Sequence, residues 1–158
     1  MPAARIPKTN AARLLEGLGI QFSLHHVEVD EEDLSAVSMA RKLDAEPERV
    51  FKTLVARGDK NGVLMACIPA ASELDLKALA AASGNKHAEM LPTTGYIRGG
   101  CSPLAAKKAY PVLIDQSAAT HERIYVSAGL RGVQIQLGPN DLLRATQGAY
   151  APLTRSAD

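Results

Sequence analysis

Tryptophan is absent from the 158 residues, and aromatic residues make up only 4% of them. Proteins that bind single strands by stacking bases on side chains need more aromatic surface than this. A surplus of charge is also missing, because 18 Lys and Arg against 17 Asp and Glu leave a formal net charge of +1. That excludes a uniformly basic nucleic-acid coat, although a local basic patch remains compatible with a neutral total. The two cysteines, Cys67 and Cys101, form no CxxC pair, and nothing in their placement points to an oxidising compartment. No apolar run approaches the ~20 residues that a membrane-crossing helix requires. The N-terminal stretch MPAARIPKTN has no apolar signal core. A cytoplasmic protein with no membrane partner is expected. GxGxxG, P-loop, HExxH and GxSxG motifs are all lacking.

What is present suits one domain, residues 1-158, with a substantial core: 46% of residues are hydrophobic and 22% charged. Residues 8–18 are predicted helical, capped by Thr9 or Asn10 and ended by Gly19. Residues 21–29 alternate as a strand, and the acidic loop Asp30-Glu31-Glu32-Asp33 follows. Ser35 to Leu43 reads as a short helix. RVFKTLVAR (49–57), the turn Asp59-Lys60-Asn61-Gly62 and VLMACIP (63–69) read as a β-hairpin. Asp75 to Ser83 reads as a helix whose start carries a capping-box spacing, Ser72 and Asp75. A short strand is expected around Ala88–Met90. Further strands are expected at 112–115, 123–127 and 132–137, and a last helix from Pro139-Asn140 to about Thr146. Strands that cluster as hairpins with interspersed helices predict an α/β fold with a mixed, largely antiparallel sheet.

Lys52 is the anomaly in RVFKTLVAR. On a period of two, Val50, Lys52, Leu54 and Ala56 share one face, and Phe51, Thr53 and Val55 the other. Neither face is plainly the wet one. The lysine either reaches past its neighbours to water or meets an anion in a cleft, since a charge buried alone costs too much. In Gly99-Gly100-Cys101-Ser102-Pro103, two glycines permit close approach of a ligand to the main chain. The amides there are able to cradle an anion or a carbonyl oxygen. Cys101 has no adjacent base to activate it, with Arg98 three positions back and Lys107 six ahead. Ser127-Ala128-Gly129 offers a hydroxyl and amides at a strand end. The histidines are His25, His26, His87 and His121. His25 and His26 point oppositely on a strand, and neither a metal nor another cofactor is expected.

Taken together, VFKTLV, LDLKALA, GYIRGGCSPLAAKK, VLID and YVSAGLRG resemble the YbaK-type aminoacyl-tRNA deacylases, free-standing relatives of the editing domain of bacterial prolyl-tRNA synthetase. The resemblance runs from about Ala11 to Leu143. It implies a barrel-like mixed sheet surrounded by helices. It also implies hydrolysis of the ester between a wrong amino acid and tRNA, with Cys-tRNA(Pro) the leading substrate. It assigns the family's central lysine to Lys52, with Thr53 beside it, the Gly-x-x-x-Pro loop to Gly99 through Pro103, and the Ser-Gly-Gly strand end to Ser127, Ala128 and Gly129. On this resemblance Lys52 meets the 3′-terminal nucleotide or the ester, the loop amides hold the carbonyl, and water or a substrate group attacks.

The chain departs from its relatives at Ala128 and Leu130, where Gly and Lys are common. It departs again at Gln134, which stands where an acidic residue often recognises an amino group or orders the site, and at Val27, where an aromatic is frequent. Another small amino acid, as in Ala-tRNA(Pro), and a non-catalytic nucleotide- or protein-binding module are the alternatives. Arg5, Lys8, Arg13, Arg41-Lys42 and Lys107-Lys108 are candidate tRNA contacts. The near-neutral balance predicts weak tRNA affinity and help from a synthetase, which the resemblance implies is prolyl-tRNA synthetase.

Overall fold

The computed structural model describes residues 9–28, 36–91, 102–104, 110–130 and 132–155. Helix α1 (Asn10–Gly17) precedes strand β1 (Ser23–His26), helix α2 (Ala36–Lys42) and a 3-10 turn at Pro47–Arg49. Strands β2 (Phe51–Gly58), β3 (Gly62–Pro69) and β4 (Glu73–Leu74) lead to α3 (Leu76–Ala82) and β5 (Ala88–Met90). Then come β6 (Val112–Asp115), a 3-10 turn at Gln116–Thr120, β7 (Ile124–Ser127), β8 (Val133–Leu137), α4 (Pro139–Thr146), β9 (Ala149–Ala151) and β10 (Thr154–Arg155).

The strands form a five-stranded sheet in the order β5-β2-β3-β6-β9, a three-stranded sheet β1-β8-β7 and a two-stranded pair β10-β4. Pairing is antiparallel except along β3, β6 and β9, so the sheet is mixed, as expected from the sequence. The two larger sheets meet at one isolated parallel bridge, Val50 with Tyr125. They curl against each other there but do not close into a continuous barrel among the described residues.

The predicted hairpin forms with Phe51 opposite Pro69 and Gly58 opposite Gly62. Its turn is locked by Asn85, whose Oδ1 accepts from the amides of Lys60 (2.8 Å) and Asn61 (3.0 Å). The hairpin is apolar on both faces because both are covered. Phe51, Val55, Met65 and Cys67 enter the main core with Leu15 of α1 and Leu142 of α4. Ala56, Leu64, Ala66 and Ile68 pack on the other side with Leu79 of α3. Thr9 caps α1 through its side chain, as its position suggested. The capping box at Ser72 does not form. Instead Asp75 itself is the cap of α3, accepting from the amides of Lys77 and Ala78. Ser72 is held in the preceding turn by its amide bond to the Pro69 carbonyl, with β4 intervening.

Strands β9 and β10, which the sequence did not announce, are tied down by Asp115. This carboxylate is 3% exposed. It accepts from the Leu153 amide (2.9 Å), the Ser117 amide (3.2 Å) and the Ser117 hydroxyl (2.5 Å). Asp115→Ala leaves the buried Leu153 amide unmet, and should lower stability by about 3 kcal/mol. Urea denaturation checks this as a lower midpoint at unchanged slope.

Candidate active site

Alternation along β2 places Val50 and Lys52 on one face. Val50 belongs to a small apolar cluster with Ala40, Ala70 and Tyr125. Further along that face, Leu54 and Ala56 join the cluster under α3. Lys52 therefore stands in a gap between two greasy patches, half-buried. Burial pushes its pKa down, and the Glu73 carboxylate partly opposes this. Glu73, on β4, is itself ion-paired with Arg155 of β10 at 3.1 Å.

The Val50–Tyr125 bridge is parallel, so β2 and β7 run on together from it. Two residues beyond the bridge lie Lys52 on one strand and Ser127 on the other. Val50 and Tyr125 share a cluster, so their faces coincide. Alternation then turns Lys52 and Ser127 to that same side. Ser127 is 8% exposed. Its Oγ accepts from the Gly129 amide at 3.1 Å, closing a turn in which Gly129 has φ +92°. That left-handed conformation suits glycine. A Cβ at position 129 would stand 3.8 Å from the Cβ of Ser102, so the end of the Gly99–Pro103 loop abuts the strand end. Ser102 and Pro103 are buried, and the Ser102 hydroxyl accepts from the Leu104 amide at 3.1 Å.

Gly99, Gly100 and Cys101 lie outside the described residues, as do Arg5, Lys8, Lys107 and Lys108. Lys52, Ser127, Gly129, Ser102 and Pro103 are thus grouped around one strand end. Two other predicted residues turn away from the Lys52 face. Thr53 points into the hairpin's main-core side, its Oγ1 3.7 Å from the Cys67 sulfur. The methyl of Ala128 is in the main core, 1% exposed. Arg41 and Lys42 are exposed at the end of α2, and Lys42 Nζ donates to the Glu28 carbonyl at 2.8 Å.

Sequence reasoning missed a polar sheet face. The register aligns His25, Gln134 and Ser127 across β1, β8 and β7, and aligns Ser23, Gln136 and Tyr125 in the next row. All six share a side, while Leu24, Val133, Ile135, Ile124 and Val126 fill the core behind it. The Ser23 hydroxyl donates to Gln136 Oε1 at 3.2 Å, and His25 Nε2 lies 2.9 Å from Ser23 Oγ and 3.2 Å from Gln136 Oε1. Since the Gln136 oxygen only accepts, His25 Nε2 is the donor in that contact. The Tyr125 ring meets His25 edge-on at 5.3 Å. Alternation of Val133-Gln134-Ile135-Gln136-Leu137 was the signal for this face. Beyond Ser23 and Gln136, at the opposite end from Lys52, opens a cleft of about 720 Å³ that also touches Phe22, Arg123 and Asp141. Among the described residues, no group of three or more His, Cys, Asp or Glu is placed to hold a metal ion. No described helix is long and apolar enough to cross a membrane.

Comparison with known proteins gives this geometry a context. The model of the aminoacyl-tRNA editing domain matches residues 30–145. A protein of Enterococcus faecalis named putative Cys-tRNA(Pro)/Cys-tRNA(Cys) deacylase EbsC is 47% identical over 153 residues, covering 93% of each chain. Among solved structures, a hypothetical protein superposes with a TM-score of 0.83 at 19% identity, over 92% of this chain and 99% of that one. A structure described as a putative trans-editing enzyme for prolyl-tRNA synthetase gives 0.78 at 21% identity, over 97% of this chain and all 100% of that one. The two superpositions establish a shared fold. With the family match spanning Lys52, the loop ending at Pro103 and the Ser127 strand end, the chain belongs to the aminoacyl-tRNA editing domain family.

Proposed function

We propose that this chain is a trans-editing hydrolase that removes cysteine from tRNA(Pro), acting in the cytoplasm as a single editing domain over residues 1–158. The observation that carries the reading is the convergence of Lys52 and Ser127 on one side of the sheet junction, two residues past the Val50–Tyr125 bridge. The 47% identity to the enterococcal deacylase supports cysteine as the amino acid.

Catalysis at such a site works by positioning and electrostatics. The Lys52 ammonium holds the anionic 3′ end of the tRNA against the strand end. Amides of the Gly99-Gly100-Cys101 stretch receive the ester oxygen as it becomes an oxyanion. Water attacks the carbonyl carbon, the ester C–O bond breaks, and the leaving ribose oxygen takes a proton. Free cysteine and uncharged tRNA leave. With a net charge of +1, the protein has little long-range pull on tRNA, which favours delivery of the substrate by prolyl-tRNA synthetase.

Deacylation of Cys-tRNA(Pro), Ala-tRNA(Pro), Pro-tRNA(Pro) and Cys-tRNA(Cys) tests the assignment. Wild type should release cysteine from tRNA(Pro), and Lys52→Ala should cut kcat/KM by about 100-fold, the scale of losing one stabilising charge in a closed site. A preference for alanine would keep the mechanism and change the substrate. No release from any of the four by folded protein would leave a binding module.

The charge on Lys52 sets the alkaline limit. Its pKa is lowered by burial and raised by Glu73. The ammonium, and with it the activity, should be lost at a lower pH than an ordinary lysine would give. Glu73→Gln removes the opposing influence and should move that alkaline limb of kcat/KM further down in pH. An unmoved limb would show that another group sets it.

A further inference from the structure

Lys52 stands in the gap between two apolar clusters, and the chain itself crosses that gap. Ala70 belongs with Val50 in one cluster, and its amide donates to the Val50 carbonyl at 2.8 Å. Leu74 packs with Leu54 in the other. Residues 71–73 therefore run past Lys52, and they end on Glu73, whose carboxylate acts on the lysine. An exposed carboxylate beside a half-buried ammonium has every reason to pair with it. Here it is drawn the other way. Strand β10 pairs with β4 so that Arg155 lies directly opposite Glu73, and the guanidinium meets the carboxylate at 3.1 Å.

The strand that carries Arg155 is firmly seated. Two residues before it, the buried Leu153 donates its amide to Asp115 at 2.9 Å, and its carbonyl accepts from the Asp75 amide at 2.7 Å. The pair itself does little for folding, because its side chains are 64% and 57% exposed. Its effect is on where the Glu73 charge sits.

We propose that Arg155 is a positioning residue for the editing reaction, holding the Glu73 carboxylate off Lys52 so that the ammonium is free to take the anionic 3′ end of the tRNA. The inference rests on the reading of Lys52 as the group that meets that anion. Without Arg155, Glu73 and the tRNA compete for one cation. With it, Glu73 stays near enough to favour the charged lysine without occupying it. Arginine suits the task because its planar fork fixes a carboxylate and it keeps its charge wherever a lysine titrates. Arg155 lies beyond residues 30–145, the segment matched by the editing-domain model, so the chain after that segment serves the site as well.

Wild type, Arg155→Ala, Arg155→Lys, Glu73→Gln and the double variant Arg155→Ala/Glu73→Gln are compared on Cys-tRNA(Pro) near neutral pH. Arg155→Ala should raise KM by about fivefold, the upper scale of one exposed ion pair, with kcat nearly unchanged. Its alkaline limb should move up in pH, opposite to Glu73→Gln, because a freed Glu73 stabilises the ammonium. Arg155→Lys keeps the charge and should restore most of KM. In the Glu73→Gln background, loss of Arg155 should leave KM as it is, since no carboxylate remains to swing across. A KM rise that persists there would mean that Arg155 touches the tRNA or merely braces β10, and would overturn the proposal. So would an unchanged KM in Arg155→Ala. Should that variant fray β10, Arg155→Gln, which keeps the stem, takes its place. Titration of the Lys52 side chain by NMR, assigned with Lys52→Arg, reads the same arrangement without substrate. The Lys52 pKa should rise in Arg155→Ala and fall in Glu73→Gln, and no rise in the former would overturn the proposal. Wild type inert on Cys-tRNA(Pro) would overturn the editing function instead, while the NMR titration would still decide whether Arg155 restrains Glu73.

Discussion

One parallel bridge, Val50 with Tyr125, joins a five-stranded sheet to a three-stranded one, and the candidate site exists because of it. Each sheet alone would leave its own polar residues facing solvent. Joined there, the strands carry Lys52 and Ser127 forward side by side, from different sheets, to the same strand end. The bridge is held by packing. Ala40, Ala70, Val50 and Tyr125 form a cluster small enough that its position, more than its buried area, is what matters. The hairpin of β2 and β3 supplies the rigidity, since it is buried on both faces and cannot roll.

Lys52 is tolerated in that hairpin because the apolar covering of its face is interrupted between two clusters. The gap is a half-buried environment, which weakens the hold on the proton without removing water entirely. Glu73 counteracts the effect, and Arg155 in turn restrains Glu73. Tension of the opposite kind appears at Gln134, where an acceptor goes unmet beside a satisfied network. Both features are poor choices for a core and sensible ones for a surface that receives a polar ligand.

Much of this was legible in the sequence. Thr9 was readable as a cap because Ser, Thr, Asp and Asn at a helix start have a local cause. The hairpin was readable from two apolar runs and an Asn-Gly turn. The family resemblance supplied the barrel-like sheet, which the described residues give as two sheets joined at one bridge without closure. What local pattern cannot carry is distance along the chain. Nothing in Ala149–Ala151 or Thr154–Arg155 announces a strand, since each is short and owes its place to partners far away, β6 and β4. The polar face of β1, β8 and β7 was hidden for the same reason. His25, Gln134 and Tyr125 look unrelated until the register aligns them. Within the predicted site, the pattern of alternation had already separated Lys52 from Thr53. The resemblance grouped them by motif, and only the faces of β2 divide them.

The long reach of these pairings bears on how the protein comes into being. Ser23 of β1 meets Gln136 of β8 across 113 positions of sequence, and β4 waits for β10. A ribosome releases the β2–β3 hairpin early, and that unit can form at once. Strand β1 emerges earlier still, yet has no partner until β8 follows. Until β8 has been made, at about 5–20 residues per second, the nascent chain therefore carries β1 without that partner. Completion of the sheet junction, and with it the ability to act on tRNA, waits until β7 and β8 have been translated.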